Sequence, residues 1–209
     1  MQLQSTRENA MFDPGRLTAL LVAVSFAAGL NLYVTIAVLG LLGRFQVLQL
    51  PAGLSMLDHT WVIAVAVGLS VIEAVADKIP YVDLVWNAVH TFIRVPAAAI
   101  LAYQAANQLS PTEHALVTVA AAAIAGVAHT AKTSARVAVS ATPEPFSNAV
   151  LSTAEDVAAA GITWIATVHP YIGAAIVAAA VLVAVMLVRI LLRGARRVVA
   201  RLRGQPVTA

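Results

Sequence analysis

The chain has 209 residues, of which 60% are hydrophobic and only 11% are charged, and its mean hydropathy is +0.85. Thirteen basic and ten acidic side chains cannot cover a water-soluble globule of this length, so the composition excludes an ordinary soluble domain and points to a bilayer. The absence of cysteine excludes a disulfide scaffold, a thiolate nucleophile and a cysteine-ligated metal.

A polar N-terminal segment, residues 1–16, precedes a first apolar run over residues 17–42. At about 1.5 Å per residue this run exceeds a hydrocarbon core of about 30 Å, and it reads as one tilted crossing. It continues well past the small residues Ala27-Ala28-Gly29, as an uncleaved signal anchor does and a cleaved signal peptide does not. Five further runs follow, at 60–76, 84–106, 113–139, 147–168 and 171–192. Turn-forming stretches separate them, among them Leu50-Pro51-Ala52-Gly53, Lys78-Ile79-Pro80-Tyr81 and His169-Pro170-Tyr171. The expectation is an all-α integral membrane protein of about six transmembrane helices, forming a single domain over 17–192, with a basic tail at 193–209. Residues 60–76 are short for a crossing, and 147–168 carry two acids. These are the segments expected to be broken or re-entrant, which sets a range of four to six full crossings.

Orientation follows from the cations. Arg189, Arg193, Arg196, Arg197, Arg201 and Arg203 lie at or beyond the end of the last run, which marks that end as cytoplasmic. An even number of crossings then puts Arg7 and Arg16 on the same face, so both termini are expected to be cytoplasmic. Lys78 and Arg136 also fall near that face, and Arg44 is the exception. A basic juxtamembrane helix is a topology signal that meets lipid headgroups, so the expected partner is the bilayer and not nucleic acid.

Ile79-Pro80-Tyr81-Val82-Asp83 opens the third run, and His169-Pro170-Tyr171-Ile172-Gly173, ninety residues later, opens the sixth. Gly29-Leu30-Asn31 has a looser echo in Gly126-Val127-Ala128-His129. The echo suggests two three-helix repeats, 17–106 and 113–192. An odd number of spans in each would invert one against the other, as in many transporters.

Ionisable groups at membrane depth cost roughly 2.5–3.5 kcal/mol each, so they face protein or water. Glu73 and Asp77 are four apart on the second run. Asn87, His90, Thr91 and Arg94 share one face of the third, and His129, Lys132, Thr133 and Arg136 share one face of the fourth. Glu155 and Asp156 are adjacent on the fifth, 100° apart around a helix, so they cannot both face one partner. One is expected to pair with Lys132 or Arg136 and the other to face a cavity as a proton carrier. Lys78, Asp83 and Glu144 lie in or beside turns and read as interfacial charges.

No Walker loop, dinucleotide fingerprint, GxSxG or HExxH motif is present, and His90 and His129 lack the spacing of a zinc pair. No cofactor and no metal site are expected. Gly29 and the pair Gly40 and Gly43 mark close helix approach.

The segments Glu73-Ala74-Val75-Ala76-Asp77-Lys78-Ile79-Pro80-Tyr81-Val82-Asp83, Val85 to Pro96, His129-Thr130-Ala131-Lys132-Thr133, Thr142-Pro143-Glu144-Pro145 and Glu155-Asp156 resemble a bacterial family of multi-span membrane proteins, domain of unknown function 4126. The resemblance runs from Gly29-Leu30-Asn31 through His169-Pro170. It implies a bacterial inner-membrane location and carries over no substrate and no residue role.

Charge placement favours a small transporter or channel for an ion or small charged solute, proton-coupled through its carboxylates. In that reading Glu155 and Asp156 bind the cation or proton, Lys132, Arg136 and Arg94 neutralise them, and Asn31, Asn87 and His90 add polar contacts. Glu73, Asp77 and His129 complete the pathway. So small a chain is expected to act as a homodimer. The alternative is a non-catalytic scaffold or partner subunit whose ion pairs lock its helices. An enzyme acting on lipid is the third class.

Overall fold

The computed structural model describes residues 13–140 and 145–202. In chain order they form α1 (Pro14–Leu30), α2 (Leu32–Arg44), a 3₁₀ helix (Ala52–Asp58), α3 (Thr60–Ala76), α4 (Pro80–Ala105), α5 (Pro111–Ser140), α6 (Pro145–Val168) and α7 (Pro170–Leu202). The helix starts follow local chemistry. Proline, which has no N–H to leave unpaired, begins α1, α4, α5, α6 and α7. Asp13 caps α1 by accepting from the Arg16 backbone N–H at 3.1 Å. Ser110 and Glu113 form a reciprocal capping box ahead of α5.

The first apolar run is not one crossing. Asn31 has an extended backbone, φ −145° and ψ 106°, and splits the run into helices of 17 and 13 residues. Were α2 to continue α1, Leu39 would lie roughly 27 Å from Leu21. Instead Leu39 lines the same apolar cavity as Leu20, Leu21 and Val24. Ile36 and Leu101 of α4 pack against one shared cluster of Ala28, Leu32, Ala98 and Ala125, and Gly40 abuts the Leu57 carbonyl of the 3₁₀ helix. The chain therefore dips along α1, turns at Asn31 and returns along α2 as a re-entrant hairpin. Asn31 makes this turn workable because its side-chain oxygen accepts from the Val34 N–H at 3.0 Å, satisfying a donor that the break leaves free.

Three helical segments are long and apolar enough to cross a membrane: Val85–Ala105, Pro111–Ala138 and Pro170–Gly194. A fourth is added if the 3₁₀ helix and α3, which meet at a 69° bend, count as one span. This makes the chain a multi-pass membrane protein with fewer full-length apolar crossings than the six expected. The helix α6 is long enough, but its Ser, Thr, Glu and Asp side chains make it less apolar than these spans, and Ser152, Glu155 and Thr163 among them are buried. The surface is correspondingly inverted: Phe92, Phe146, Leu182 and Val119 are exposed, while Glu73, Asp77, Arg94 and Arg136 are fully buried.

The start of α1 meets the start of α7, where the Tyr171 hydroxyl donates to Asp13 at 3.3 Å. The helix α7 then runs 33 residues, about 50 Å, away from that contact. The two ends of the described chain thus lie at opposite ends of the helical body.

Pro80 and Pro170 each open a helix, as the ninety-residue echo suggested. Beyond that the helix arrangement lends no support to an inverted pair, for the hairpin break in the first half has no matching break in the described second half. Close helix approach does occur where glycine predicts it. A β-carbon at Gly29 would lie 2.5 Å from the Ala125 carbonyl oxygen and 2.7 Å from the Ala128 methyl, so α1 and α5 meet backbone to backbone.

Candidate functional site

The tip of the hairpin ends in a knot of charge. Residues at helical spacing form one polar stripe on each contributing helix: Glu73 and Asp77 at the end of α3; Asp83, Asn87, Thr91 and Arg94 on α4; His129, Lys132 and Arg136 on α5; Ser152 and Glu155 on α6. The tight α1–α5 contact at Gly29 brings Leu30 against the α5 stripe. Four helices and the hairpin tip thereby converge on three cations.

Arg136 is held by three carboxylates, Asp77 at 2.7 Å, Asp83 at 2.8 Å and Glu155 at 2.5 Å. Lys132 also faces three, Glu73 at 3.0 Å, Glu155 at 3.2 Å and Asp77 at 3.7 Å. Arg94 pairs with Glu73. Arg94 and Lys132 in addition donate to the same backbone carbonyl, that of Leu30, at 3.0 and 3.1 Å. The Leu30 oxygen is available because Asn31 interrupts the helix, and the two cations satisfy it. Ser152 donates to Asp77 at 3.2 Å, and Asn31 donates to Asp156 at 2.8 Å.

Two histidines border the knot, and their tautomers follow from donor counting. Arg94 can only donate, so His129 Nδ1 accepts from it at 3.3 Å, and Nε2–H donates to the Thr91 hydroxyl at 2.8 Å. Thr91 then gives its own proton to the Asn87 carbonyl. His90 donates from Nδ1 to the Trp86 carbonyl at 2.7 Å and shares a hydrogen bond at Nε2 with the Tyr33 hydroxyl at 2.9 Å. The His129 ring is neutral in this arrangement.

The side chains of Glu73, Asp77, Asp83, Arg94, Lys132 and Arg136 are shut off from solvent, and that of Glu155 is 8% exposed. The apolar cavity between α1 and α4 and the three surface pockets are lined by other residues. Full ionisation gives four carboxylates against three cations in the enclosed knot, and the half-buried Asp156 beside it brings the surplus to two negative charges. One oxygen each on Glu73, Asp77, Asp83 and Asn87 is buried without a hydrogen-bond partner. Among the described residues no group of three or more His, Asp or Glu side chains is arranged to hold a metal ion.

The sequence-predicted residues Glu73, Asp77, Asn87, Arg94, His129, Lys132, Arg136 and Glu155 fall into this single network. Asn31 and Asp156 form a pair beside it, and His90 stands apart with Tyr33 and Trp86. Glu155 contacts Lys132 and Arg136 both, where one was expected. Asp156 meets Asn31 instead of facing a cavity. Asp83, read as an interfacial charge, is fully buried against Arg136, whereas Lys78 is exposed as expected. Glu144 lies outside the described residues. Asp83 had a signal: it stands four residues before Asn87 on the same stripe, and Asn87 donates to its carboxylate at 2.6 Å. The Leu30 carbonyl, Tyr33 and Ser152 were missed. Only Asn31, an isolated helix-capping residue inside an apolar run, hinted at the first.

Compared with known proteins, the chain matches no curated protein and no solved structure. The profile of a family described as a domain of unknown function, DUF4126, matches residues 18–190.

Proposed function

The chain belongs to the DUF4126 family, and we propose that in it the buried charge knot is the ion-binding centre of a small transporter or channel for a cation or small charged solute, working in a bacterial inner membrane. The observation that carries this reading is the meeting of a re-entrant hairpin tip with an acid-rich cluster. Non-helical backbone at membrane depth survives only inside protein or beside a hydrated path, and broken helices are how transporters present carbonyls to ions. The Leu30 carbonyl is such a group. The surplus of two acids asks for positive charge, as protons or as a bound cation. Glu155 and Asp156 are the groups we assign to loading and release, since they are the least enclosed of the carboxylates. In this reading the enclosure of the charges corresponds to a closed state of the path. A homodimer is the assembly we propose for it.

A second reading has its own observation. The three cations each contact carboxylate out of reach of solvent, as a scaffold or partner subunit with ion-locked helices requires.

Proteoliposomes separate the two. If the carboxylates are transport groups, Glu155→Gln and Asp156→Asn each alter cation or proton flux by about tenfold or more while melting close to the unsubstituted protein. Unaltered flux together with a large drop in melting temperature makes the knot a structural lock.

A further inference from the structure

Lys132 is the least ordinary member of the knot. Its ammonium is enclosed by four oxygens from three different parts of the chain: Glu73 Oε1 at 3.0 Å, the Leu30 carbonyl at 3.1 Å, Glu155 Oε2 at 3.2 Å and Asp77 Oδ2 at 3.7 Å. Three of these oxygens lie within hydrogen-bond reach and match the ammonium's three hydrogens, while Asp77 at 3.7 Å adds charge without a hydrogen bond. A spherical ion has no fixed number of partners and is free to draw on all four. Glu73 and Asp77, both fully buried, each keep a second oxygen with no partner, and the surrounding carboxylates, with Asp156, outnumber the cations by two. One of the four oxygens is the carbonyl freed at the hairpin tip, so the cage is more than an acidic patch. It joins α3, α6 and the hairpin around one point of positive charge.

We propose that these four oxygens form a monovalent-cation site, which Lys132 fills with its own ammonium in the closed state and yields to a cation of ammonium's charge and similar size. Lys132 is a tethered stand-in for the ion. Its long, flexible stem allows the head group to leave the cage and the ion to replace it without a change in net charge. The exchange breaks no covalent bond. The carboxylate surplus holds either occupant, and the Arg94 and Arg136 contacts keep the cage assembled while Lys132 is out. This rests on the transport reading above and names its substrate class.

The test is chemical replacement of the tether. Lys132→Ala is purified in lipid nanodiscs and its melting temperature is followed while potassium, ammonium or methylammonium chloride replaces tetramethylammonium chloride at constant ionic strength. The expected result is a saturable rise of roughly 5 °C with the small cations, absent with tetramethylammonium and absent in the unsubstituted protein. Adding Glu73→Gln to Lys132→Ala removes one cage charge and should shift half-saturation to at least about tenfold higher concentration. An identical response to all four salts would overturn the proposal. So would a Lys132→Ala protein that no small cation restores to a folded state, because the tether and not the charge would then be what the cage needs. Flux in proteoliposomes is read alongside: a saturable cation response with no flux in any variant keeps the site and removes transport, whereas flux without a cation response removes the site alone.

Discussion

The guanidinium of Arg136 and the carboxylate of Asp83 meet at 2.8 Å, 53 residues apart in the chain, with neither side chain exposed to solvent. Arg136 also holds Asp77 and Glu155, so it is the single cation common to three acids on three helices. Arg136→Met would strand those acids in an enclosed site and should destabilise the fold by about 3–5 kcal/mol. Asp83→Asn leaves Arg136 two carboxylates and lessens the negative surplus, so its cost should stay within about 1–3 kcal/mol. Thermal or denaturant unfolding in nanodiscs gives the order, and an Asp83→Asn protein weaker than Arg136→Met would reverse it.

Asn31 both caps α2 and supplies the hydrogen bond to Asp156. Asn31→Ala loses a cap of about 1 kcal/mol and leaves the Asp156 carboxylate without that donor. Asn31→Asp keeps a capping oxygen but sets a second negative charge against Asp156, and should be the more damaging of the two. Comparing their melting temperatures distinguishes the cap from the cross-chain bond.

How much of this was open to sequence reading depended on the kind of information involved. The polar stripes were legible because recurrence every three or four residues fixes a helix face before any partner is known, and His129, Lys132 and Arg136 show it plainly. Which acid meets which base was not, since that is set by helix packing. The Gly29 contact, which aligns α1 with α5, decides that Leu30 and not another carbonyl reaches Lys132. The hairpin was missed for a different reason. A run of apolar residues long enough to cross satisfies the length rule whether it crosses or folds back, and the difference lies in the one polar residue at its centre.

Glycine positions give a packing test with an internal control. Gly29→Ala places a methyl 2.5 Å from the Ala125 carbonyl oxygen and should cost about 1–3 kcal/mol through forced separation of α1 from α5. Gly68, inside α3, has no neighbour within 4 Å of where its β-carbon would stand. Gly68→Ala should be neutral or stabilise by up to about 1 kcal/mol, because alanine is the better helix former. Equal melting temperatures for the two variants would contradict the backbone contact.

The placement of the chain ends is open to labelling. There is no native cysteine, so Pro14→Cys, Ile172→Cys and Arg193→Cys each report one position cleanly. In sealed, oriented vesicles an impermeant maleimide should reach positions 14 and 172 from one side, and position 193 from the other. Labelling of 14 and 193 from the same side would mean that the hairpin crosses after all.

The hairpin also sets an order of events during synthesis. Its tip is held by Arg94, Lys132 and Asp156, which follow their partners by 64, 102 and 125 residues. When α1 and α2 emerge from the ribosome none of their anchors has been translated, and the closing contacts are among the longest-range in the fold, the kind that form slowly. Until Asp156 has been made, a single Asn in an otherwise oily stretch has nothing to hold it. Final seating of the first helices is therefore a late step in biogenesis, and a chain stopped before α6 would leave it unfinished.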